Sequence, residues 1–315
     1  GTELQKRGMP TGVCPEQWVY ENPDVIKNIQ KSYVNAGSDI IYTCTFGGNH
    51  IKLEEFGLGN RTVEINRRLA QFSKEAAGNK CLVAGDLAST GRFIKPLGDL
   101  SFEECVNVYK EQVKGLLEGG VDLFVIETML DIQEARAALL AVKESCELPV
   151  CVSLSFDESK RTLTGTDPVT ALITLQSLGA DAVGCNCSTG PSLMVEIIKM
   201  MKPYARVPLM AKRNAGLSKT EEIASYTKDL VKAVVNMLGC CCGTSPLYIE
   251  QLYKESKNLK PQAPDFKPYS AVTSSRKAVL FGLNTSVPVV GERINPTGKK
   301  KLQAELKDGS THEVR

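Results

Sequence analysis

Three cysteine residues lie where two predicted β-strands end, and thiolate side chains at such positions favour the binding of a soft metal ion. Cys187 ends the run AVGCNC, and Cys241 and Cys242 end the run NMLGCCC. Each run precedes a predicted helix that begins at a proline, Pro191 or Pro246. Three protein thiolates leave one position of a tetrahedral zinc ion open, which is typical of catalytic zinc sites. We therefore predict that Cys187, Cys241 and Cys242 bind zinc and act in catalysis through it.

The alternative for these residues is that they are buried thiols, which are common in strands. We assign that structural role to Cys185, two residues before Cys187 on the same strand, and to Cys240. A redox disulfide between Cys241 and Cys242 is disfavoured, because neighbouring cysteines do not easily reach good disulfide geometry.

The open zinc position would hold either a water molecule for hydrolysis or the thiol of a substrate. Hydrolysis usually needs a nearby general base such as histidine, and the chain has only His50 and His312. A zinc ion with thiolate ligands is a weak Lewis acid towards water, but it can bind a thiol, deprotonate it and keep the sulfur nucleophilic. The ligand set therefore favours alkyl transfer to sulfur.

Polar side chains at the ends of other predicted strands are candidates for binding the rest of the substrate. Glu127 ends one strand, where it would pair with the ammonium group of an amino acid. Asp131 is available to cap the next helix, which favours a functional role for Glu127. Asp86 ends another strand and is a second candidate for substrate binding. For Asp86, helix capping or loop hydrogen bonding stays an open alternative.

The segment after the first predicted strand is a candidate for binding a carboxylate group. Thr43 and Thr45 lie there, followed by Gly47 and Gly48. Backbone amides in such glycine-containing turns can hold anions, so we predict that Thr45 and the amides beside it contact the substrate. For Thr43 the alternative is a local hydrogen bond.

The elements that position these residues alternate between short apolar strands and amphipathic helices. Near-continuous apolar strands that alternate with helices indicate a parallel sheet buried on both faces. We predict an α/β fold, a (β/α)8 TIM barrel whose first strand is missing from the given chain. An open doubly wound sheet is the alternative, but no glycine-rich dinucleotide fingerprint follows any strand. The predicted strands are 39–44, 81–86, 122–127, 149–154, 182–186, 207–211 and 233–238.

The composition is that of an ordinary globular protein. The chain has 315 residues, a net charge of +2 and 11 cysteines, most of them in apolar patterns. Reduced, buried thiols of this kind predict a cytoplasmic location. The charge balance predicts no nucleic-acid partner, and no apolar stretch approaches the ~18 residues of a membrane span. No signal peptide is visible at the polar start of the chain.

The domain organisation is predicted to change near residue 258. Residues 1–257 form the barrel, and 258–286 are rich in proline, serine and lysine, as in an extended linker. A new apolar strand follows within 287–315, a stretch too short for an independent core. We predict that 287–315 is the N-terminal fragment of a second barrel domain.

Several motifs together resemble the homocysteine S-methyltransferase family over roughly residues 1–257. The resemblance implies a (β/α)8 barrel in which Cys187, Cys241 and Cys242 hold zinc, and the zinc activates the thiolate of L-homocysteine. The segments that carry it are Gly1-Thr2-Glu3-Leu4, Thr43-Cys44-Thr45-Phe46-Gly47, Glu127-Thr128, Leu163-Thr164-Gly165-Thr166-Asp167-Pro168, Asn186-Cys187-Ser188, Asn214-Ala215-Gly216 and Cys241-Cys242-Gly243-Thr244.

The segment VGERINPTG at 290–298 is similar to the opening of a pterin-binding, methyltetrahydrofolate domain. The two domains in this order resemble the cobalamin-dependent methionine synthases. That resemblance implies methylcobalamin as the methyl donor, carried by a cobalamin-binding module in cis or in trans. It also implies that 5-methyltetrahydrofolate remethylates the cobalamin. The alternatives are a thiol methyltransferase of the same family with another donor, and a zinc-stabilised binding module without catalysis.

The chain departs from the family pattern at three places. The strand that ends Asp-Gly-Ala-Met, whose acidic residue helps to bind homocysteine, does not precede Gly1. The segment Leu217-Ser218-Lys219-Thr220 is shorter than in the family, and Arg213 replaces a proline before Asn214. The substrate site is therefore expected to be incomplete in this chain.

Overall fold

The computed structural model describes residues 1–187, 190–214, 220–261, 266, 268–282 and 299–308. Two compact units are present, residues 1–279 and 280–315. The predicted opening of the second domain at 290–298, residues 215–219 of the shortened segment, and Ser188 lie outside the described residues.

Seven parallel strands form one sheet in the order of the chain, as the barrel prediction requires. Each pair of consecutive strands is joined through at least one helix that packs outside the sheet. The α/β fold predicted from the sequence is thus confirmed, and the described residues contain seven strands of a (β/α)8 barrel. The strands are β1 (Ile40–Tyr42), β2 (Leu82–Leu87), β3 (Leu123–Met129), β4 (Val150–Leu154), β5 (Ala182–Asn186), β6 (Leu209–Arg213) and β7 (Val235–Cys240).

The sheet curls so that the segment before its first strand contacts the segment after its last strand. The hydroxyl of Tyr33, which lies before β1, donates to the carbonyl of Thr244 after β7 over 2.7 Å. A Cβ atom at Gly37 would lie 2.8 Å from the ring of Tyr253, so this close approach requires glycine. The positive φ of Gly37, +99°, adds a second reason for glycine there.

The helices carry the sequence signals that predict their ends. Ser101 and Glu104 form a capping box at the start of α6 (Phe102–Glu118), and Asp131 accepts a bond from the Gln133 amide at the start of α7 (Ile132–Lys143). The helices are α1 (Thr2–Gln5), α2 (Pro15–Glu21), α3 (Pro23–Asn35), α4 (His50–Glu54), α5 (Thr62–Ala77), α6 (Phe102–Glu118), α7 (Ile132–Lys143), α8 (Pro168–Ser177), α9 (Pro191–Met201), α10 (Thr220–Lys232), α11 (Pro246–Ser256) and α12 (Lys300–Lys307). Short 3₁₀ turns span Gly59–Arg61 and Lys202–Tyr204.

Alternation along the strands separates two cores. Residues such as Phe124, Val152 and Val183 point outward and pack with the helices in the large core. A smaller cluster fills the interior, with Ala84, Val125, Cys151, Ala182 and Met210 among its members. Because strand side chains alternate with a period of two, the next inward positions along these strands lie towards their C-terminal ends. Those positions carry the polar residues of the candidate site.

The segment after α11 includes a strap that packs on the barrel. β8 (Ser270–Thr273) and β9 (Ala278–Phe281) form a separate two-stranded sheet. The Tyr269 hydroxyl accepts a 2.6 Å bond from Gln176 and donates over 2.9 Å to the carbonyl of Tyr204. The guanidinium of Arg206 lies 4.4 Å from the centre of the Tyr269 ring. The range predicted as an extended linker therefore contains a part, around Tyr269, that belongs to the first compact unit.

No helix in the described ranges combines the length and the apolar character that crossing a membrane requires.

Candidate metal centre

The three predicted zinc ligands come together at the C-terminal end of the sheet. The sulfur atoms of Cys187, Cys241 and Cys242 all lie within 4.8 Å of one another. The Cys187 and Cys242 sulfurs are 3.6 Å apart. In a tetrahedral site with zinc–sulfur bonds of about 2.3 Å, two sulfur ligands are separated by about 3.8 Å. The donor set and its spacing therefore fit zinc, although the role of these thiols as ligands stays a prediction.

The backbone around β6 fixes where these thiols point. The Cys187 amide donates to the carbonyl of Lys212 over 3.4 Å, and the Cys241 amide donates to the carbonyl of Arg213 over 2.6 Å. The side-chain oxygen of Asn214 accepts from the Cys242 amide at 3.1 Å and from the Cys187 thiol at 3.4 Å. The β6 end thus lies between the two ligand-bearing strands and bonds to both.

Cys187 adopts a left-handed backbone conformation with φ of 53°. Non-glycine residues rarely occupy this region, and strain of this kind is concentrated at functional sites. The conformation turns the chain at the end of β5.

The thiols also influence one another's proton affinity. The hydrogen bond from Cys187 lowers the pKa of Cys241 to about 6, against the opposing effect of burial. The same bond raises the pKa of Cys187 far above its usual value, and burial adds to that shift. One thiolate is therefore favoured in the cluster, and the remaining protons are the ones that a bound metal would displace.

The two cysteines assigned a structural role do not join this cluster. Cys185 is fully buried in the outer core, and burial raises its pKa to about 12. Cys240 faces the space lined by Arg213, Tyr226 and Tyr248. All eleven cysteines are free thiols, so none is consumed in a disulfide.

Beneath the thiols, Glu127 is paired with Lys212, a residue that no sequence pattern indicated as part of the site. The Lys212 ammonium forms a direct ion pair with the Glu127 carboxylate, with only 3% of the Lys212 side chain exposed. Lys212 also lies 4.9 Å from the centre of the Tyr42 ring. Burial alone would lower the pKa of Lys212, but Tyr42 and Glu127 outweigh it and raise that pKa. Lys212 is therefore charged inside the barrel.

Asp86 lies in the same buried layer without a counter-ion of its own. Its residue is 5% exposed, and its Oδ1 atom has no hydrogen-bond partner among the described residues. Burial raises the pKa of Asp86 well above its usual value, and the negative charge of Glu127 raises it further. The charge on Lys212 acts in the opposite direction but does not cancel this shift. The charge of one buried lysine, Lys212, thus acts on two carboxyl groups, Glu127 through an ion pair and Asp86 through its electrostatic field.

The predicted anion-binding segment is organised differently from the expectation. The Thr45 side chain is fully buried, and its hydroxyl donates to the carbonyl of Asp86 over 2.8 Å. The Gly47 amide donates to the carboxylate of Glu16 at 2.7 Å, and the Gly48 amide donates to the carbonyl of Thr45 at 2.9 Å. Both glycine amides are engaged, so the expectation that they hold a substrate carboxylate is wrong. Thr45 supports Asp86, and its contact with a substrate stays a prediction.

Comparison with known proteins agrees with the geometry. The sequence profile of the homocysteine S-methyltransferase family matches residues 1–256. The chain is 28% identical over 316 residues to the methionine synthase of Mycobacterium tuberculosis (strain ATCC 25618 / H37Rv), covering 93% of this chain and 26% of that protein. It is 28% identical over 321 residues to the methionine synthase of Mycobacterium leprae (strain TN), with the same coverage. The chain thus spans about a quarter of the length of these relatives.

The fold resembles that of a homocysteine methyltransferase, MmuM, from Escherichia coli. The metallated form of that enzyme superposes with a TM-score of 0.71 at 21% identity, covering 81% of this chain and 93% of that one. Its apo form gives a TM-score of 0.67 at 20% identity, with 81% and 92% coverage. At this identity the likeness concerns the fold alone.

The family match covers most of the chain, so the chain belongs to the homocysteine S-methyltransferase family, a family of methyltransferases.

Proposed function

We propose that this chain binds L-homocysteine at a zinc ion held by Cys187, Cys241 and Cys242, and catalyses transfer of a methyl group to its sulfur. The observation that carries the proposal is the cluster of three thiols within 4.8 Å at the end of the sheet. Zinc in a site of this kind would bind the substrate thiol in its fourth position and favour its thiolate form.

The buried carboxyl groups would hold the ammonium group of the amino acid. Glu127 was the first candidate, but Lys212 already provides it with a counter-ion. Asp86 has an unpaired oxygen in the same layer. An ammonium group beside both carboxyl groups would balance the remaining negative charge and supply the missing hydrogen bond. We therefore place the ammonium group at Asp86 and Glu127 together.

The transfer step is a nucleophilic displacement. The thiol proton leaves when the sulfur is bound as a thiolate, and a sulfur electron pair then forms the bond to the methyl carbon. Methylcobalamin, if bound, would supply the methyl group, and the residues of this chain would hold the sulfur that receives it. The role of the chain in this step is to hold the sulfur at the metal and the ammonium group at the buried carboxyl groups.

The donor is proposed from the resemblance of the chain to methionine synthases. A cobalamin-binding module, in cis or in trans, would deliver methylcobalamin, and 5-methyltetrahydrofolate would remethylate it at the second domain. The eleven free thiols support a reducing, cytoplasmic location.

The deciding experiment is zinc K-edge X-ray absorption on the purified protein with and without L-homocysteine. We expect three sulfur neighbours to become four when homocysteine is added. A shell of four protein ligands that ignores homocysteine would indicate a structural zinc and contradict the proposal. Cys187→Ala is expected to lose tight zinc binding and methyl transfer together, and a fully active variant would contradict the ligand assignment.

The methyl donor is tested separately by single-turnover assays with methylcobalamin and with S-methylmethionine. We expect methionine to form with methylcobalamin. Methionine formed only with S-methylmethionine would support the alternative donor and leave the zinc site unaffected.

A further inference from the structure

Asn186 connects the metal centre to the strand that carries Glu127. It is the last residue of β5 and is fully buried. Its Oδ1 atom accepts from the Thr128 amide at 2.9 Å and from the Ser153 hydroxyl at 2.7 Å. Its Nδ2 atom donates to the Thr128 hydroxyl at 2.7 Å and to the Cys241 sulfur at 3.7 Å. One side chain therefore bonds to β3, to β4 and to a predicted metal ligand.

The orientation of this amide is fixed by its neighbours. A backbone N–H group can only donate, so the Asn186 atom that faces the Thr128 amide must be the oxygen. The nitrogen then lies on the other side, where the Thr128 hydroxyl and the Cys241 sulfur accept its two hydrogens. Rotation of the amide by 180° would set a donor against a donor and break this arrangement.

Thr128 needs this support because of its backbone conformation. Its φ is 58°, in the left-handed region that β-branched residues rarely occupy. The pairing of β3 with β4 shifts between Ile126 and Met129, so Thr128 forms an irregular corner directly after Glu127. Two hydrogen bonds between Thr128 and Asn186, one donated by each residue, hold that corner, and the corner determines where the Glu127 side chain begins.

We infer that Asn186 is a positioning residue that fixes the distance between the Glu127 carboxylate and the metal position. In the proposed function, on which this inference rests, the ammonium group of the substrate lies at Glu127 and Asp86 and the sulfur lies at the metal. The length of the amino acid between these ends must match that distance. Homocysteine is one methylene longer than cysteine, so a fixed spacing discriminates between the two, and the proposed function requires that it favour homocysteine.

The expected size of this selection follows from the chemistry. One methylene group changes binding or reaction by roughly 10- to 200-fold in a rigid site. If the corner at Thr128 loosens, Glu127 gains freedom to approach the metal, and the penalty against cysteine falls. Selectivity therefore changes more than the affinity for the metal, because the three cysteines remain.

The test measures the binding of L-homocysteine and L-cysteine to the cobalt-substituted protein through the increase in thiolate-to-cobalt charge-transfer absorption that each thiol adds to the absorption of the three cysteine ligands. Thr128→Val removes the hydroxyl that accepts from Asn186 but keeps the shape of the side chain and the backbone amide. Asn186→Asp keeps the acceptor and removes both donors. We expect each variant to bind cobalt. We also expect the ratio of its affinity for homocysteine to its affinity for cysteine to be at least threefold smaller than in the wild type.

Ser155→Ala is the matched control. Its hydroxyl donates to the Asn186 backbone carbonyl at 2.8 Å, not to the side-chain amide, so the preference should stay at the wild-type value. A preference unchanged in folded Thr128→Val would overturn the inference, whether or not Asn186→Asp folds. If neither thiol increased the charge-transfer absorption of the wild-type cobalt protein, the proposed function itself would fail, and the inference with it.

Discussion

Lys212 and Glu127 form an ion pair inside the barrel, with 3% and 12% of their side chains exposed. The two residues come from β6 and β3, 85 positions apart in the chain. Taking both charges out of water is costly, and the pair offsets that cost only while both partners are present. The pair thus fixes the charge of the site beneath the thiols.

Removing the lysine should strongly destabilise the protein. Lys212→Met leaves the Glu127 carboxylate buried without a counter-ion, and we expect a loss of about 3–5 kcal/mol in the free energy of unfolding. Urea denaturation of the metal-free protein measures this change. Lys212→Met combined with Glu127→Gln should recover a large part of the loss. A double variant as unstable as the single one would indicate that packing, and not charge, causes the effect.

The raised pKa of Asp86 predicts a pH dependence of stability. A carboxyl group whose folded pKa lies above its unfolded value of about 3.8 destabilises the fold as pH rises from that value through the folded pKa. Well below pH 3.8 the group is protonated in both states and the effect disappears. The charges around Asp86 that set this window are Glu127, Lys212 and Cys241.

Asp86→Asn should therefore raise the melting temperature clearly at pH 8 and much less at pH 4. The substitution keeps the size of the side chain and removes its charge. The same variant should bind homocysteine more weakly, because the ammonium group loses a partner. Thermal melts at the two pH values check the first expectation, and an equal shift at both would contradict the assignment of the effect to titration.

Gly239 leaves room for the lysine side chain. A Cβ atom there would lie 2.9 Å from the Cγ atom of Lys212. Gly239→Ala should displace Lys212 from Glu127 and destabilise the protein by about 1–3 kcal/mol. Gly190→Ala is the control, because a Cβ atom at Gly190 meets no atom of the described residues within 4 Å. Equal unfolding curves for the two variants would show that the lysine adjusts without loss.

The strap after α11 should contribute to the stability of the barrel. Tyr269→Ala removes the ring that contacts Tyr204 and Arg206 and the hydroxyl that bonds to Gln176. We expect a loss of about 1–3 kcal/mol in the free energy of unfolding. Val272→Ala, at a residue 59% exposed, should change it by less than about 0.5 kcal/mol. Stability unaffected by Tyr269→Ala would mean that the strap is held elsewhere.

Much of this site follows from local sequence patterns. Cys187 and Cys241 could be placed at one edge of the sheet because parallel strands that alternate with helices end at the same face. Asp131 caps α7 as predicted, through its bond to the Gln133 amide. Apolar runs and helix caps are local features, so the sequence alone contains them.

The contacts that the sequence did not predict are made between distant segments. The predicted strand ended at Ala211, which left Lys212 outside it, although an inward position two residues after Met210 follows from strand alternation. The carboxylate of Glu16, 31 residues away in the chain, accepts the hydrogen bond from the Gly47 amide. No local pattern encodes that pairing, so the amide looked free from the sequence.

The spacing of the thiols along the chain has a mechanical consequence. Cys187 and Cys242 are 55 residues apart in sequence, so a metal ion that joins them is a removable cross-link around β6 and α10. A covalent link across a loop of this length lowers the entropy of the unfolded chain by an amount equivalent to about 4 kcal/mol. If the proposed metal is bound there, its removal would lower the stability of the folded chain by up to that amount. Metal content would then influence the lifetime of the folded chain in addition to its proposed activity.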